Sequence, residues 1–374
     1  MLPYDELQAV YAVLSGVLTV LLWALSGRLL GRERLLRRAC LALALLVAAG
    51  LGVREALRPF GQSVSSFFVA VAIVFYAAGF WIPLLLLRSL RKPGSIPSGG
   101  RRIAFLLAVS VPLVALYALL VEPNRLQIRE EIVPIASWPA GTPELVVAHL
   151  SDLQTVGPCD REHRALEEVR RARPDLIVVT GDYVGGPFFD TRPAEEDARA
   201  FLAELARIAP TIVVAGHCED EEVRARVFAG LGLLYLEDAS KDLDFGGGRR
   251  LRAIGLDPYK PDLRLPREPR PEGVACLVAT HSPDATTELV GAGVDLHVAG
   301  HTHGGQIVVP FFGAPITLTR LPRRYARGLF RFEDHWLDVC AGLGMEGNHA
   351  PRVRLFCPPE ISILRLHGSG SSVR

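Results

Sequence analysis

The sequence predicts an all-α bundle of apolar spans followed by an α/β domain, and three observations carry that expectation. The 374-residue chain is 49% hydrophobic and only 22% charged, with a mean hydropathy of +0.26. It is too apolar to be disordered or collagen-like, and too long for one ordinary domain. Its charge is uneven: up to Glu122, 12 Lys and Arg stand against 5 Asp and Glu, a net of +7, while the rest of the chain carries −6. All ten His lie beyond Ala148. The mildly acidic second part lacks the basic footprint that nucleic acid requires, so no nucleic-acid partner is expected. The six Cys (Cys40, Cys159, Cys218, Cys276, Cys340 and Cys357) form neither CxxC pairs nor a disulfide-dense scaffold.

The spans come first. Leu7–Gly27, Pro59–Leu87 and Ile103–Val121 are uncharged over 21, 29 and 19 residues, and a bilayer core of about 30 Å needs about 20 helical residues. Ala39–Val53 has only 15, but Arg38 and Arg54 at its ends would snorkel outward. It reads as a fourth span, with a buried core helix or re-entrant segment as the other reading. The expected anchor is therefore four transmembrane helices over residues 1–122. The first and third loops carry ten Lys and Arg, from Arg28 to Arg38 and from Arg88 to Arg102, whereas the second carries only Arg54 and Arg58. The positive-inside rule then places the first and third loops in the cytoplasm and everything after Val121 outside it. This predicts a multi-pass membrane protein with an extracytoplasmic second domain and the lipid bilayer as a partner. No span contains a charge, so none suggests an ion pathway.

Beyond about Glu122 the apolar runs shorten. Leu145–Ala148, Leu176–Val179, Thr211–Ala215, Ala275–Ala279 and Val294–Ala299 are aliphatic and bounded by turn residues, as buried strands are. Arg161–Arg173 and Ala194–Ile208 read as helices between them. Strand, helix, strand at this spacing predicts βαβ units with layers on both sheet faces.

Each run ends in a polar loop: Ser151–Gln154, Gly181–Tyr183, Gly216–Asp220, Thr280–Asp284 and Gly300–Gln306. Ligands of α/β proteins bind at such strand ends. Asp and neutral His are ligands for divalent first-row metals. Two Asp and four His arriving from five loops are enough for two ions about 3.5–4 Å apart, as in two-metal hydrolases.

Asp182 within Gly-Asp-Tyr, His281, and Gly-His-Thr-His-Gly-Gly-Gln at 300–306 resemble the calcineurin-like metallophosphoesterases. The Gly-Gly-Gln extension is similar to that of exported or membrane-anchored bacterial members. Ala341–Gly344 with Val353–Ile361 resembles the last hairpin of that branch. The resemblance covers about Val121–Leu366. It implies a four-layer α/β/β/α sandwich over residues 123–367; residues 368–374 read separately as a disordered tail. It also implies one or two divalent transition metal ions (Mn, Fe or Zn). The implied reaction is hydrolysis of a phosphomonoester or phosphodiester by metal-activated hydroxide. Asp152 and His303 would serve the first metal, Asp182 would bridge, and His281 and His301 would serve the second.

The sequence departs from the family pattern in three places. Gln154 stands where the first motif has a His ligand. His217 stands where the third has Asn. Cys218 stands where that motif has the His that helps protonate the leaving group. Gln154 offers only a weak neutral oxygen, or else is a residue of the site rim. His217 is a good ligand and, with Glu219, an alternative source of the leaving-group proton. Cys218 is a poor acid unless its pKa is lowered, or else a small filler. A catalytically weakened or silent binding protein is accordingly the second reading. Placement beside a bilayer suggests a lipid or envelope phosphoester as substrate. His149 and His297 read as structural, and His163, His335 and His367 as surface residues. Asp160, Arg161, Arg323, Arg324 and Arg327 either line the site or form a solvated face. Gly347-Asn348-His349 imitates the missing Gly-Asn-His at a later point in the chain.

Overall fold

The structure is a computed structural model that describes residues 4–30, 38–45, 63–91, 98–157, 159–185, 192–257, 270–346 and 350–369. The helices up to Val121 make one compact unit, and a second begins at Glu122.

In the first unit α1 spans Tyr4–Leu30, and residues 38–45 are the described part of α2. The helix α3 (Ser63–Tyr76) continues through a π-turn at Ala77–Trp81 into α4 (Ile82–Leu90), and α5 covers Ser98–Leu120. α1 packs on α3, and α4 on α5. A small residue permits one close approach: a Cβ on Gly16 would stand 2.6 Å from the Trp81 indole, whose Nε1 donates to Ala12 O at 2.9 Å. Phe68–Leu90 and Gly100–Asn124 are long and apolar enough to cross a bilayer, by length and composition; Val10–Ser26, within α1, is a shorter apolar stretch. Of the other expected spans, Ala39–Val53 beyond residue 45 and Pro59–Leu87 before residue 63 lie outside the described residues.

The second unit rests on two six-stranded mixed sheets. Across the first lie β1 (Gln127–Ile135), β12 (Glu360–Gly368), β2 (Leu145–Leu150), β3 (Leu176–Val179), β4 (Thr211–Val213) and β5 (Leu234–Tyr235). Across the second lie β10 (Gly328–Phe332), β11 (His335–Val339), β9 (Leu296–Ala299), β8 (Val274–Ala279), β7 (Arg250–Gly255) and β6 (Ala239–Asp244). The run β2 to β5 is parallel, as is the run β11, β9, β8, β7. The five apolar runs became β2, β3, β4, β8 and β9, every residue of them buried.

Strand alternation sorts the side chains. Leu145 and Val147 of β2 meet Leu251, Ala275 and Leu277 in the core between the sheets. Val146 and Ala148 face Ala165 and Val169 of α6 (Asp160–Ala172), with Phe201 and Leu202 of α7 (Arg192–Ile208) in the same core. Strands buried on both faces read as continuous apolar runs, which is why no polar alternation marked them. On the far face of the second sheet, Ile254, Cys276 and Val278 pack under Leu289 and Val294, beside the 3₁₀ turn Pro283–Glu288. Among the described residues that layer is made of turns, not an α-helix.

Three expectations change here. Ala341–Gly344 and Val353–Ile361 do not form a hairpin: β11 and β12 lie in different sheets, and the segment between them crosses over. His335 is not a surface residue but fully buried, because β11 runs inside the second sheet and its Nε2 meets Thr286 Oγ1 at 2.7 Å. β12 continues through Gly368, and Ser369 N donates to Ile135 O at 3.0 Å, so regular structure passes residue 367. Residues 347–349 and 370–374 lie outside the described residues.

Candidate metal centre

Loops leaving the C-terminal ends of β2, β3, β4, β8 and β9 bring the predicted ligands to one place. Asp152, Asp182 and His281 offer ligand atoms within 4.8 Å of one another, and so do His217, His281 and His301. The loops come close because three of their residues lack a side chain. Gly181, at φ +86°, lies against Gly216, where a Cβ would stand 2.6 Å from the Gly216 Cα. A Cβ on Gly216 would collide with the Asp182 amide, and one on Gly300 with the Ser151 hydroxyl. Asp152, Asp182, His301 and His303 all hold left-handed backbone, with φ from 47° to 68°. Such conformations cost of order 1–3 kcal/mol each and cluster at functional sites.

Backbone amides aim the carboxylates. Asp182 Oδ1 accepts from the N–H groups of His217 and Cys218, at 2.6 and 3.0 Å. Asp152 Oδ2 accepts from His301 N at 2.9 Å. The other Asp152 oxygen, Oδ1, is buried without a hydrogen-bond donor among the described residues, and His303 Nε2 stands 3.5 Å from it. Behind Asp152 runs the segment Ala341–Gly344, with Gly344 N donating to Asp152 O at 2.6 Å.

The tautomers follow from fixed acceptors. His281 Nδ1 lies 2.7 Å from Thr180 O, and His301 Nε2 lies 2.9 Å from Leu318 O. A carbonyl cannot donate, so both nitrogens carry protons. In the neutral rings the lone pairs are then on His281 Nε2 and His301 Nδ1, which face each other at 3.2 Å. Two lone pairs at that distance repel unless a proton or a cation lies by them. Burial lowers the basicity of His281, yet Asp182 and Asp152 pull it up to about 10. Burial and the neighbouring His281 and His301 push His217 down to about 3, and His301 is lowered for like reasons. Burial works to raise the Asp182 carboxyl, but His281, His217 and His301 hold it well below the usual carboxylate range. A buried pocket lined by two carboxylates and edged with imidazole nitrogens offers the donor set that a divalent cation takes.

The departures from the family pattern take definite positions. Gln154 turns its Nε2 toward Asp182 Oδ2 at 3.3 Å and Cys218 Sγ at 3.6 Å, so it presents an amide donor to the carboxylate. Cys218 is exposed at the mouth. Glu219 is buried, with Oε1 accepting from Val184 N at 2.8 Å; burial and then Asp182 raise it to about 8. Arg327 pairs with Glu360 at 2.5 Å, Arg161 is buried on α6, and Arg323 and Arg324 stack on Phe312 and Tyr325.

Sequence reasoning missed Thr180, Leu318 and Arg354. Arg354 is fully buried and donates to the carbonyls of Ala341, Gly344 and Cys357, holding the segment behind Asp152. A lone Arg inside the apolar run Val353–Cys357 was the available signal.

Residues 145–305 match the calcineurin-like phosphoesterase family. Among curated proteins the chain is 26% identical over 262 residues to the uncharacterized metallophosphoesterase YkuE of Bacillus subtilis, covering 67% of this chain and 88% of that protein. It is 29% identical over 211 residues to the phosphodiesterase YaeI of Escherichia coli, covering 52% and 71%. A shorter stretch of 96 residues is 40% identical to the UDP-2,3-diacylglucosamine pyrophosphatase LpxG of Chlamydia muridarum, covering 24% and 28%. Residues 145–305 thus carry a metallophosphoesterase domain similar to the calcineurin-like phosphoesterases, hydrolases that act on phosphoric ester bonds.

Proposed function

We propose that this chain is a membrane-anchored, extracytoplasmic phosphoesterase, with residues 1–122 as anchor and 123–367 as catalytic domain. The reading is carried by one observation: His281 Nε2 and His301 Nδ1, the ring nitrogens not held by a backbone carbonyl, face each other at 3.2 Å beside the buried Asp152 and Asp182. Asp182, His217, His281 and His301 would hold one ion, and Asp152, Asp182 and His303 a second, with Mn, Fe or Zn the candidates. Such ions supply Lewis acidity and lower the pKa of water. The chain's part is to position. The His217 and Cys218 amides orient Asp182, and the Thr180 and Leu318 carbonyls fix the two imidazoles. Gln154 contributes a hydrogen bond to Asp182 in this assignment, and Cys218 stands where a leaving group would depart. The substrate is a phosphomonoester or phosphodiester of a lipid or envelope component. The similarity to a UDP-2,3-diacylglucosamine pyrophosphatase supports it, as do the apolar helices.

Elemental analysis of the purified full chain tests the ligand set. Wild type should retain at least one transition metal, and His281→Ala should lose it together with turnover of an aryl phosphodiester, by about 10³-fold or more. Equal metal in both proteins would overturn the assignment. The weakened or silent alternative rests on Gln154 and Cys218. It predicts no turnover by wild type, and turnover after Gln154→His with Cys218→His.

A further inference from the structure

We propose that the segment from Val309 to Arg324 is a docking element that inserts into an anionic lipid surface and brings the phosphoester to the metal centre. This rests on the hydrolase reading above and names the surface on which that site works. The chain turns sharply here, with Val309 N donating to Gly313 O at 3.0 Å and Phe311 at the tip in left-handed backbone, φ +66°. Phe311 is 113% exposed relative to its reference, and Phe312 is 56% exposed. Val309, Ile316 and Leu318 are exposed beside them, at 42%, 47% and 46%. Contiguous exposed apolar surface of this kind marks a contact with a membrane or a partner.

Charge decides which. From Gln306 to Phe332 the sequence has five Arg and no Asp or Glu. Arg323 lies over the Phe312 ring at 4.2 Å and donates to Phe312 O, and Arg324 lies over Tyr325 at 4.7 Å. Arg320 has 94% of its side chain exposed and its Nε 4.0 Å from Asp284, whose Oδ1 accepts from the Arg320 amide at 2.9 Å. Aromatic and aliphatic tips collared by arginines suit a surface with acyl chains below and phosphates above. The element is also continuous with the site. Leu318, one of the exposed apolar residues, supplies the carbonyl that fixes His301. Insertion of the tip would therefore bring headgroup phosphates to the level of the ligand cluster.

The test uses the full chain reconstituted in vesicles of phosphatidylglycerol and phosphatidylcholine, 3:7. Phe311→Trp adds a fluorophore at the tip. Its emission, taken as the difference from wild type, should be quenched about twofold or more by lipids brominated on the acyl chain. Unchanged emission with brominated and ordinary lipid would overturn the proposal. In a second arm, Phe311→Ser with Phe312→Ser should lower kcat/KM for a diacyl phosphoester at least tenfold, while a water-soluble aryl phosphodiester changes less than twofold. An equal loss on both esters would overturn it, because a disturbed site would act on both. If wild type cleaves neither ester, the hydrolase reading fails, and the quenching arm still decides docking. If the double variant instead dissociates an oligomer, the tip contacts a second copy and the lipid assignment is wrong.

Discussion

His217, His281 and His301 stand in the loops that follow β4, β8 and β9, whereas His149 and His297 sit inside β2 and β9 and His335 opens β11. The second trio is consumed by the sandwich. His149 Nδ1 meets Asp338 Oδ2 at 2.6 Å and its Nε2 meets Thr180 Oγ1 at 3.0 Å. His297 meets Thr280 Oγ1 at 2.8 Å, and His335 meets Thr286 Oγ1 at 2.7 Å. Each of these imidazoles has a hydroxyl against it, so it serves the fold. In the first trio two rings are pinned by backbone carbonyls on one nitrogen and turn the other toward a shared point. Placement along a strand, not residue type, separates packing from ligation. A strand interior lies between layers that supply partners, while a strand end opens on a cavity.

The trios also touch. Thr180 offers its carbonyl to His281 and its hydroxyl to His149, whose other nitrogen meets Asp338, which in turn accepts from Arg129 Nη2 at 2.5 Å. A buried chain thus runs from a proposed ligand to a charge pair at the opposite strand edge. Outer hydrogen bonds of this type commonly set ligand orientation.

The comparison breaks most visibly through two unlike substitutions. His281→Ala should abolish metal retention with a smaller loss of thermal stability than Asp338→Ala. Asp338→Ala should destabilise the second unit by about 2–3 kcal/mol, because the buried His149 loses its carboxylate while Arg129 keeps Glu360 at 3.1 Å. Thermal unfolding of the two variants side by side reads this; equal destabilisation would erase the distinction between the trios.

The next largest effect is a pH dependence. Burial, then His335 and His149, hold folded His297 down to about 3, whereas an unfolded His takes its proton near 6.5. Below about 6.5 the unfolded chain binds the extra proton. Stability is therefore full above that pH and falls as pH drops toward 3, by at most about 1.4 kcal/mol per unit. His297→Gln, neutral throughout, should show a shallower loss of melting temperature between pH 7 and 5 than wild type. Parallel curves would remove His297 as the cause.

The smallest effect sharpens the link between the trios. Thr180→Val removes the hydroxyl that meets His149 while leaving the carbonyl that fixes His281. Metal affinity should fall about tenfold, the low end for an outer hydrogen bond, and Thr180→Ser should restore it. A loss that serine does not restore would mean that Thr180 acts only through packing.

The sequence made the five apolar strands legible because burial on both faces favours aliphatic runs, broken only where a polar side chain finds a buried partner, as His149 and His297 do. The strands it hid are those with mixed faces or edges. β6 reads Ala-Ser-Lys-Asp-Leu-Asp, and β7 carries Arg252, held by Asp242 at 2.7 Å across the pair. The crossover mistaken for a hairpin was hidden because a strand's sheet is set by partners far along the chain: β12 pairs with β1 and β2, more than 200 residues earlier.

By itself the sequence determined the candidate ligands, their order at the strand ends and the glycines beside them, since those depend on local turns and donor chemistry. Which nitrogen of each imidazole faces the site was decided only by tertiary structure. The acceptor for His281 lies 101 residues away, and that for His301 lies 17 residues away on the exposed segment. The burial of His335 was decided in the same way. A proton's place on an imidazole is set by whatever acceptor the fold brings to it, and neither spacing nor composition encodes an acceptor at that range.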